Sequence, residues 1–191
     1  MEGIFTLPYS EYAVISETQK YFKKKMGFAI FIPTSRQQKG IDFIILNTLN
    51  KKILRIQVKS SRAYSDLSKT DDEEYQWHLW FNNFYKRYKV NEADVYLLFG
   101  NYPIYANSNR ITSKEKFWET IILAFTDSEM NSLLKNVKQI KDPNKPDEFF
   151  GFSFNNTSKI IGDRGFSEKP KPDFSNHLLD KKTEEFLNKL K

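Results

Sequence analysis

Three strand-type runs follow one another between residues 28 and 61, and they limit the possible folds more than any other feature of the chain. Residues 28–32 read Phe-Ala-Ile-Phe-Ile, residues 41–46 Ile-Asp-Phe-Ile-Ile-Leu, and residues 52–61 Lys-Ile-Leu-Arg-Ile-Gln-Val-Lys-Ser-Ser. β-Branched and aromatic residues dominate all three. Residues 33–39 separate the first two runs, and residues 47–51 form a turn-rich stretch short enough for a hairpin connection. Side chains alternate along a strand, so Gln57 and Lys59 are expected on one face and Val58 on the other.

A helix is expected ahead of these strands, capped at Ser10 or a neighbour and running to about Met26, with Gly27 ending it. Its inward stripe reads Ile15, Thr18, Phe22 and Met26. Glu11 lies one turn before Ile15 and falls on that stripe. Glu17 lies two residues from Ile15, roughly 200° round the helix, and faces elsewhere. Lys20, Lys23 and Lys24 decorate the outer side.

Beyond the third run, the acidic stretch 66–74 reads as a loop and Tyr75, Trp77, Leu79 and Phe81 alternate as a strand would. Residues 84–89 suit a short basic helix or turn, and 93–99 a buried strand. Residues 117–125 are read as a strand and Asp127 as the N-cap of a helix over 128–137. Residues 149–154 read as a late strand. A linker with two Lys-Pro pairs, 167–174, then precedes a terminal helix (175–191) whose Leu179, Phe186, Leu187 and Leu190 pack on the parent domain. The expected organisation is a single domain over 1–166, with a core at 9–99 and an elaboration at 100–166. No internal repeat is present.

At 191 residues the chain can bury a substantial core, and an aromatic content of 16% argues against disorder. The absence of cysteine excludes disulfides and thiolate metal sites, and two histidines, His78 and His177, make a zinc cage a poor fit. No apolar stretch approaches the roughly 20 residues needed to cross a bilayer, so a cytoplasmic protein without membrane contact is expected. The net charge of +6 is uneven: residues 1–62 hold eleven Lys/Arg against four Asp/Glu, a balance of +7. An electropositive segment of this kind attracts polyanions, of which nucleic acid is the commonest, with a solvated lysine-rich helix face as the other reading.

Asp42 follows Gly40-Ile41 at the head of the second strand, and Gln57 comes fifteen residues later. A carboxylate, an amide and an ammonium can therefore meet on neighbouring strands. Phosphodiester hydrolysis needs an activated water, stabilised charge at phosphorus and a neutralised leaving oxygen. Mg²⁺ (or Mn²⁺) serves all three and prefers carboxylates, carbonyls and water. Asp42 is the first candidate ligand and Glu11 the second, with Glu17 its rival on the same helix. Arg36, Lys39, Arg62, Lys86, Arg87 and Lys89 are candidates for phosphate contacts. Trp77, Trp80, Phe81, Phe84 and Tyr85 form an aromatic cluster suited to a core, with base stacking as the second use.

Glutamate on a first helix, Gly-x-Asp on the second strand and Gln-x-Lys on the third resemble the PD-(D/E)XK nuclease superfamily, whose fold is restriction-endonuclease-like. The resemblance covers residues 9–62, and 93–99 more loosely. It implies an α/β fold with a central mixed sheet flanked by helices, and a metal-dependent DNA endonuclease of restriction, repair or homing type. By the same resemblance Asp42, Glu11, the Gln57 amide and the Val58 backbone carbonyl would hold metal, while Lys59 would support attack by water. Cutting both strands would call for two sites, as in a homodimer. The chain departs from the family pattern twice: Gln57 stands where a second acid is usual, and no clear helix lies within residues 63–92. The other readings are a DNA-binding module that keeps this fold without hydrolysis, and a protein-interaction domain docking through its aromatic cluster and terminal helix.

Overall fold

A computed structural model describes residues 9–33, 40–65, 75–103, 118–139, 141–155 and 159–191. The expected loop at 66–74 lies outside the described residues, as do Arg36 and Lys39.

Helix α1 spans Tyr9–Gln19 and stops earlier than its periodicity predicts. The Thr18 hydroxyl donates to the Val14 carbonyl (2.7 Å), a local bond of the kind that bends helices. The chain then turns into a single 3-10 turn, Lys24–Met26, closed by Gly27 at φ +83°. Val14, Ile15, Thr18 and Phe22 are buried, but Met26, carried on the 3-10 turn, falls out of phase with the helix and is 46% exposed.

Strands β1 (Phe28–Phe31), β2 (Phe43–Asn47) and β3 (Ile53–Ser65) form an antiparallel meander. On its other edge β3 pairs in parallel with β5 (Val95–Pro103), with Ile56 opposite Val95 and Arg62 opposite Asn101. Strand β6 (Trp118–Thr126) closes this mixed sheet antiparallel to β5. β3 is long enough to serve a second group. Its last residues, Ala63 to Ser65, pair with β4 (Trp77–Asn82), which leads antiparallel to β7 (Phe149–Phe154) and β8 (Ile160–Gly162). β4 and the one-turn helix α2 (Phe84–Arg87) occupy the chain between β3 and β5.

Alternation on these strands creates two cores. Leu54, Ile56 and Val58 of β3 join Val95 and Leu97 of β5 beneath α1 and the terminal helix α4 (Leu179–Leu190). On the opposite face Tyr96 and Leu98 pack against Leu79, Phe81, Phe150, Phe152 and Phe154, together with Met130, Leu133 and Leu134 of α3 (Asp127–Asn136). The fold is thus α/β, a large, mostly antiparallel sheet flanked by helices.

Two local expectations are corrected. Thr126, not Asp127, caps α3: its hydroxyl accepts from the Glu129 amide (3.3 Å) and the Glu129 carboxylate accepts from the Thr126 amide (2.8 Å). This reciprocal box satisfies two donors at once, and frees Asp127 to accept from the Tyr88 hydroxyl (2.9 Å). The Pro-rich segment 167–174 is tied to the domain rather than free. Gly162 donates to the Pro172 carbonyl (2.8 Å) and Phe174 to that of Ile160 (2.7 Å), so Pro172 contributes only the acceptor that proline retains. As expected for α4, Leu179, Phe186 and Leu190 are buried on the sheet, and Asn47 donates from its side chain to the Leu190 carbonyl (2.9 Å). No helix among the described residues is long and apolar enough to cross a membrane.

Candidate active site

Gly40 adopts φ +83°, a left-handed conformation that glycine reaches without steric cost, and delivers the chain to β2. Asp42 lies just before that strand. Its amide donates to the Ile56 carbonyl (2.8 Å), and its Oδ2 accepts from the Val58 amide (2.5 Å). The carboxylate thereby takes the place of a ladder carbonyl where β2 begins. Burial pushes the Asp42 carboxyl above the usual carboxylate range, while the Val58 amide and the charge of Lys59 pull it back in part.

Gln57 and Lys59 share the face of β3 that looks away from α1 and α4, beside Tyr96 and Leu98 of β5. Gln57 is 6% exposed, with no side-chain hydrogen bond among the described residues. Lys59 is half-buried, and its Nζ stands 6.0 Å from the centre of the Phe84 ring on α2. Val58 faces the helix side, in the core with Val14 and Ile15.

A cleft of about 300 Å³ opens beside Lys59, lined also by Ser10, Glu11, Val58, Ser60, Asn82 and Arg87. The first turn of α1 therefore brings Glu11 to Lys59. Glu17 goes elsewhere: it pairs with Lys20 (2.6 Å) and borders a separate depression with Tyr21 and Asp180. Asp42 and Gln57 do not line the cleft. Val58 and Lys59 are the residues shared between the Asp42 contacts and the Glu11 wall.

Of the basic candidates, Arg87 lines the cleft and Arg62 is exposed farther along β3. Lys86 is paired with Glu148, and Lys89 is exposed beyond α2. Among the described residues no three His, Cys, Asp or Glu side chains converge to hold a metal. The oxygen donors around Lys59 are the Glu11 carboxylate on the cleft wall and, outside the cleft, the Asp42 carboxylate and the Gln57 amide. All are hard oxygens suited to Mg²⁺ or Mn²⁺.

Ser60 and Asn82 are site residues that sequence reasoning missed, because only the curl of β3 towards β4 brings them to the cleft. The ion pair beneath the site was also missed. Arg55 Nη2 donates to Asp94 Oδ1 (2.8 Å), and the Arg55 amide to Asp94 Oδ2 (2.8 Å), tying the start of β3 to β5. The aromatic cluster divides: Trp77, Phe81 and Phe84 are buried, while Trp80 and Tyr85 are exposed. His78 meets Ser153 Oγ (2.7 Å) and Asp163 Oδ2 (3.3 Å) through Nδ1, away from the cleft.

Comparison with protein-family models, with curated proteins and with solved structures returned no match.

Proposed function

We propose that the protein is a metal-dependent nuclease that hydrolyses phosphodiester bonds in DNA, built on a restriction-endonuclease-like core. The observation that carries this reading is the meeting of Asp42, Val58 and Lys59 where β2 and β3 join, beside a cleft that Glu11 also lines. The ammonium is carried by β3, and the carboxylate, just ahead of β2, is fixed to β3 by the Val58 amide, which favours a preorganised site. The order α1, β1, β2, β3, with β5 parallel to β3, supports the same likeness.

Asp42, Glu11, the Gln57 amide oxygen and the Val58 carbonyl are the groups that would hold Mg²⁺ or Mn²⁺. A carboxylate made costly by burial gains most from a cation beside it. Such an ion, when bound, supplies Lewis-acid stabilisation of the phosphate and acidifies a coordinated water. Lys59 positions the attacking water and neutralises charge on the phosphate. Arg87 at the cleft wall, with Arg62, Lys86 and Lys89 farther out, binds flanking phosphates. Two copies of the chain, one for each strand, would cut a duplex through.

A second reading is a binding module that keeps the fold without hydrolysis. It is favoured by the engagement of Asp42 Oδ2 with the Val58 amide, and by the lack of a third converging acid among the described residues. Incubation with supercoiled and linear DNA in Mg²⁺ or Mn²⁺, beside an EDTA control, separates the two. Metal-dependent cutting that disappears in Asp42→Ala and in Lys59→Ala supports the nuclease. Salt-sensitive DNA binding without cutting supports the module, and cutting that survives both substitutions overturns the assignment of the site.

A further inference from the structure

Outside the cleft, two exposed rings lie against each other. Tyr64 near the end of β3 and Trp80 in β4 stack with centroids 4.6 Å apart and planes 23° from parallel. They are 44% and 39% exposed, and among the described residues no other ring pair has both members exposed. Single exposed aromatics need no explanation, whereas two stacked rings presented to water make a contiguous apolar surface.

Strand alternation explains where the pair sits. Trp77, Leu79 and Phe81 point into the core, so His78, Trp80 and Asn82 point out. On β3 the outward set is Ser60, Arg62 and Tyr64. Tyr64 pairs with His78 and Ala63 with Leu79, and the Trp80 amide donates to Ser61 Oγ (3.0 Å), so Arg62 lies between two contacts of β3 with β4. Gly151 of β7 stands opposite Trp80 on the other side, and a methyl group there would run into the indole. The ring therefore lies across a glycine, with its place fixed before any ligand arrives. Ser60 and Asn82 also line the cleft, so this outward face runs up to the cleft that Lys59, on the other face of β3, and Arg87 line as well.

A flat π surface beside a guanidinium can receive a nucleobase, or a cationic or proline side chain of a protein. Arg62 beside the platform, with Lys59 and Arg87 set against Glu11 in the adjoining cleft, leaves a positive balance that repels a cationic partner and attracts a polyanion. Asp163 is engaged with His78 and Lys171, so it does not reverse that balance. A paired duplex hides its base faces, whereas a single strand presents them.

We propose that the Tyr64–Trp80 stack binds unpaired bases of single-stranded nucleic acid, with Arg62 on the adjoining phosphate. The partner class is shared with the nuclease reading, but the site does not require hydrolysis. The experiment measures fluorescence anisotropy of labelled oligo-dT, oligo-U and a duplex at low salt in EDTA, where no cleavage interferes. The full chain is used, with Trp80→Ala, Trp80→Phe and Tyr64→Leu, each checked for a native melting transition.

Wild-type protein is expected to bind one or both single strands with quenching of tryptophan fluorescence. Trp80→Ala and Tyr64→Leu should each weaken that binding by roughly tenfold, the loss of one base stack. Trp80→Phe should retain most of it, and duplex binding should not change. Where Trp80→Ala does not fold, Tyr64→Leu decides alone. Single-strand affinity that is absent in the wild type, or unaltered in the folded variants, overturns the proposal. Plasmid cutting lost in Lys59→Ala with oligonucleotide binding unaffected by the Trp80 and Tyr64 substitutions would reject the platform and leave the nuclease standing.

Discussion

Replacing Asp42 in two ways separates its structural role from the chemical one proposed for it. Asp42→Ala removes the acceptor of the Val58 amide, a bond of 2.5 Å at the junction of β2 and β3. Leaving a buried N–H without a partner costs about 1–3 kcal/mol, and relief of the buried charge offsets part of it. A net loss of about 1–2 kcal/mol lowers the melting temperature of a chain this size by about 2–8 °C. Asp42→Asn keeps a carbonyl acceptor for Val58 and discards only the charge, so its stability at neutral pH should equal or exceed that of the wild type.

The pH dependence follows from the direction of the Asp42 shift, which is upward because of burial. A raised folded-state pKa means that the native protein binds this proton more tightly than the unfolded chain does. Its stabilising contribution is full below the unfolded value and is lost as pH rises through the folded one. The advantage of Asp42→Asn over wild type should therefore be largest near neutrality and shrink on acidification. Thermal melts by circular dichroism across this range, run beside the plasmid assay, read both roles. Both variants should lose cutting, while only the alanine variant loses stability. An asparagine variant that melts as low as the alanine variant, or a difference that grows towards acid, would refute the reasoning.

Three further outcomes are expected. Gly100→Ala introduces a methyl 2.9 Å from Leu79 Cδ1 and closer still to Cδ2, so denaturant titration should report a loss of about 1–3 kcal/mol from overpacking. Thr126→Ala dismantles the capping box of α3 and should cost about 1 kcal/mol in the same titration. At Asp94 burial raises the carboxyl, but the hydrogen bonds from Arg55 more than offset it and hold it below its ordinary value. The pair's stabilisation is then present above the unfolded carboxylate value and lost as pH falls through the folded one. Arg55→Ala should accordingly lower stability at neutral pH and flatten the acid limb of a stability–pH profile, and an unchanged limb would count against the pair.

Much of the architecture was legible because its signals are local. Hydrophobic runs and alternation placed β1, β2, β4, β6 and β7 close to their observed bounds, and Leu179, Phe186 and Leu190 on the buried side of α4, while β3 ran on to Ser65, past its expected end at Ser61. The failures were competitions between neighbours. Thr126 outdid Asp127 as a cap because Glu129 could answer it, and α1 ended at Gln19, so Met26 on the following 3-10 turn left its stripe. The short β8 has too few residues to show a period, and its pairing with residues 172–174 made a supposed linker part of the domain.

At the candidate site the same division holds. Gln57 and Lys59 share a face because side chains alternate along any strand, and Glu11 and Glu17 diverge because a helix turns about 100° per residue. Those relations belong to the sequence by itself. Which glutamate meets Lys59, and that Asp42 would take the Val58 amide, depended on how α1 and β2 dock on β3. The Tyr64–Trp80 platform likewise required β3 to leave β5 and pair with β4. Periodicity is written into consecutive residues, whereas partners distant in the chain are chosen by packing and register. Only the tertiary structure could decide those.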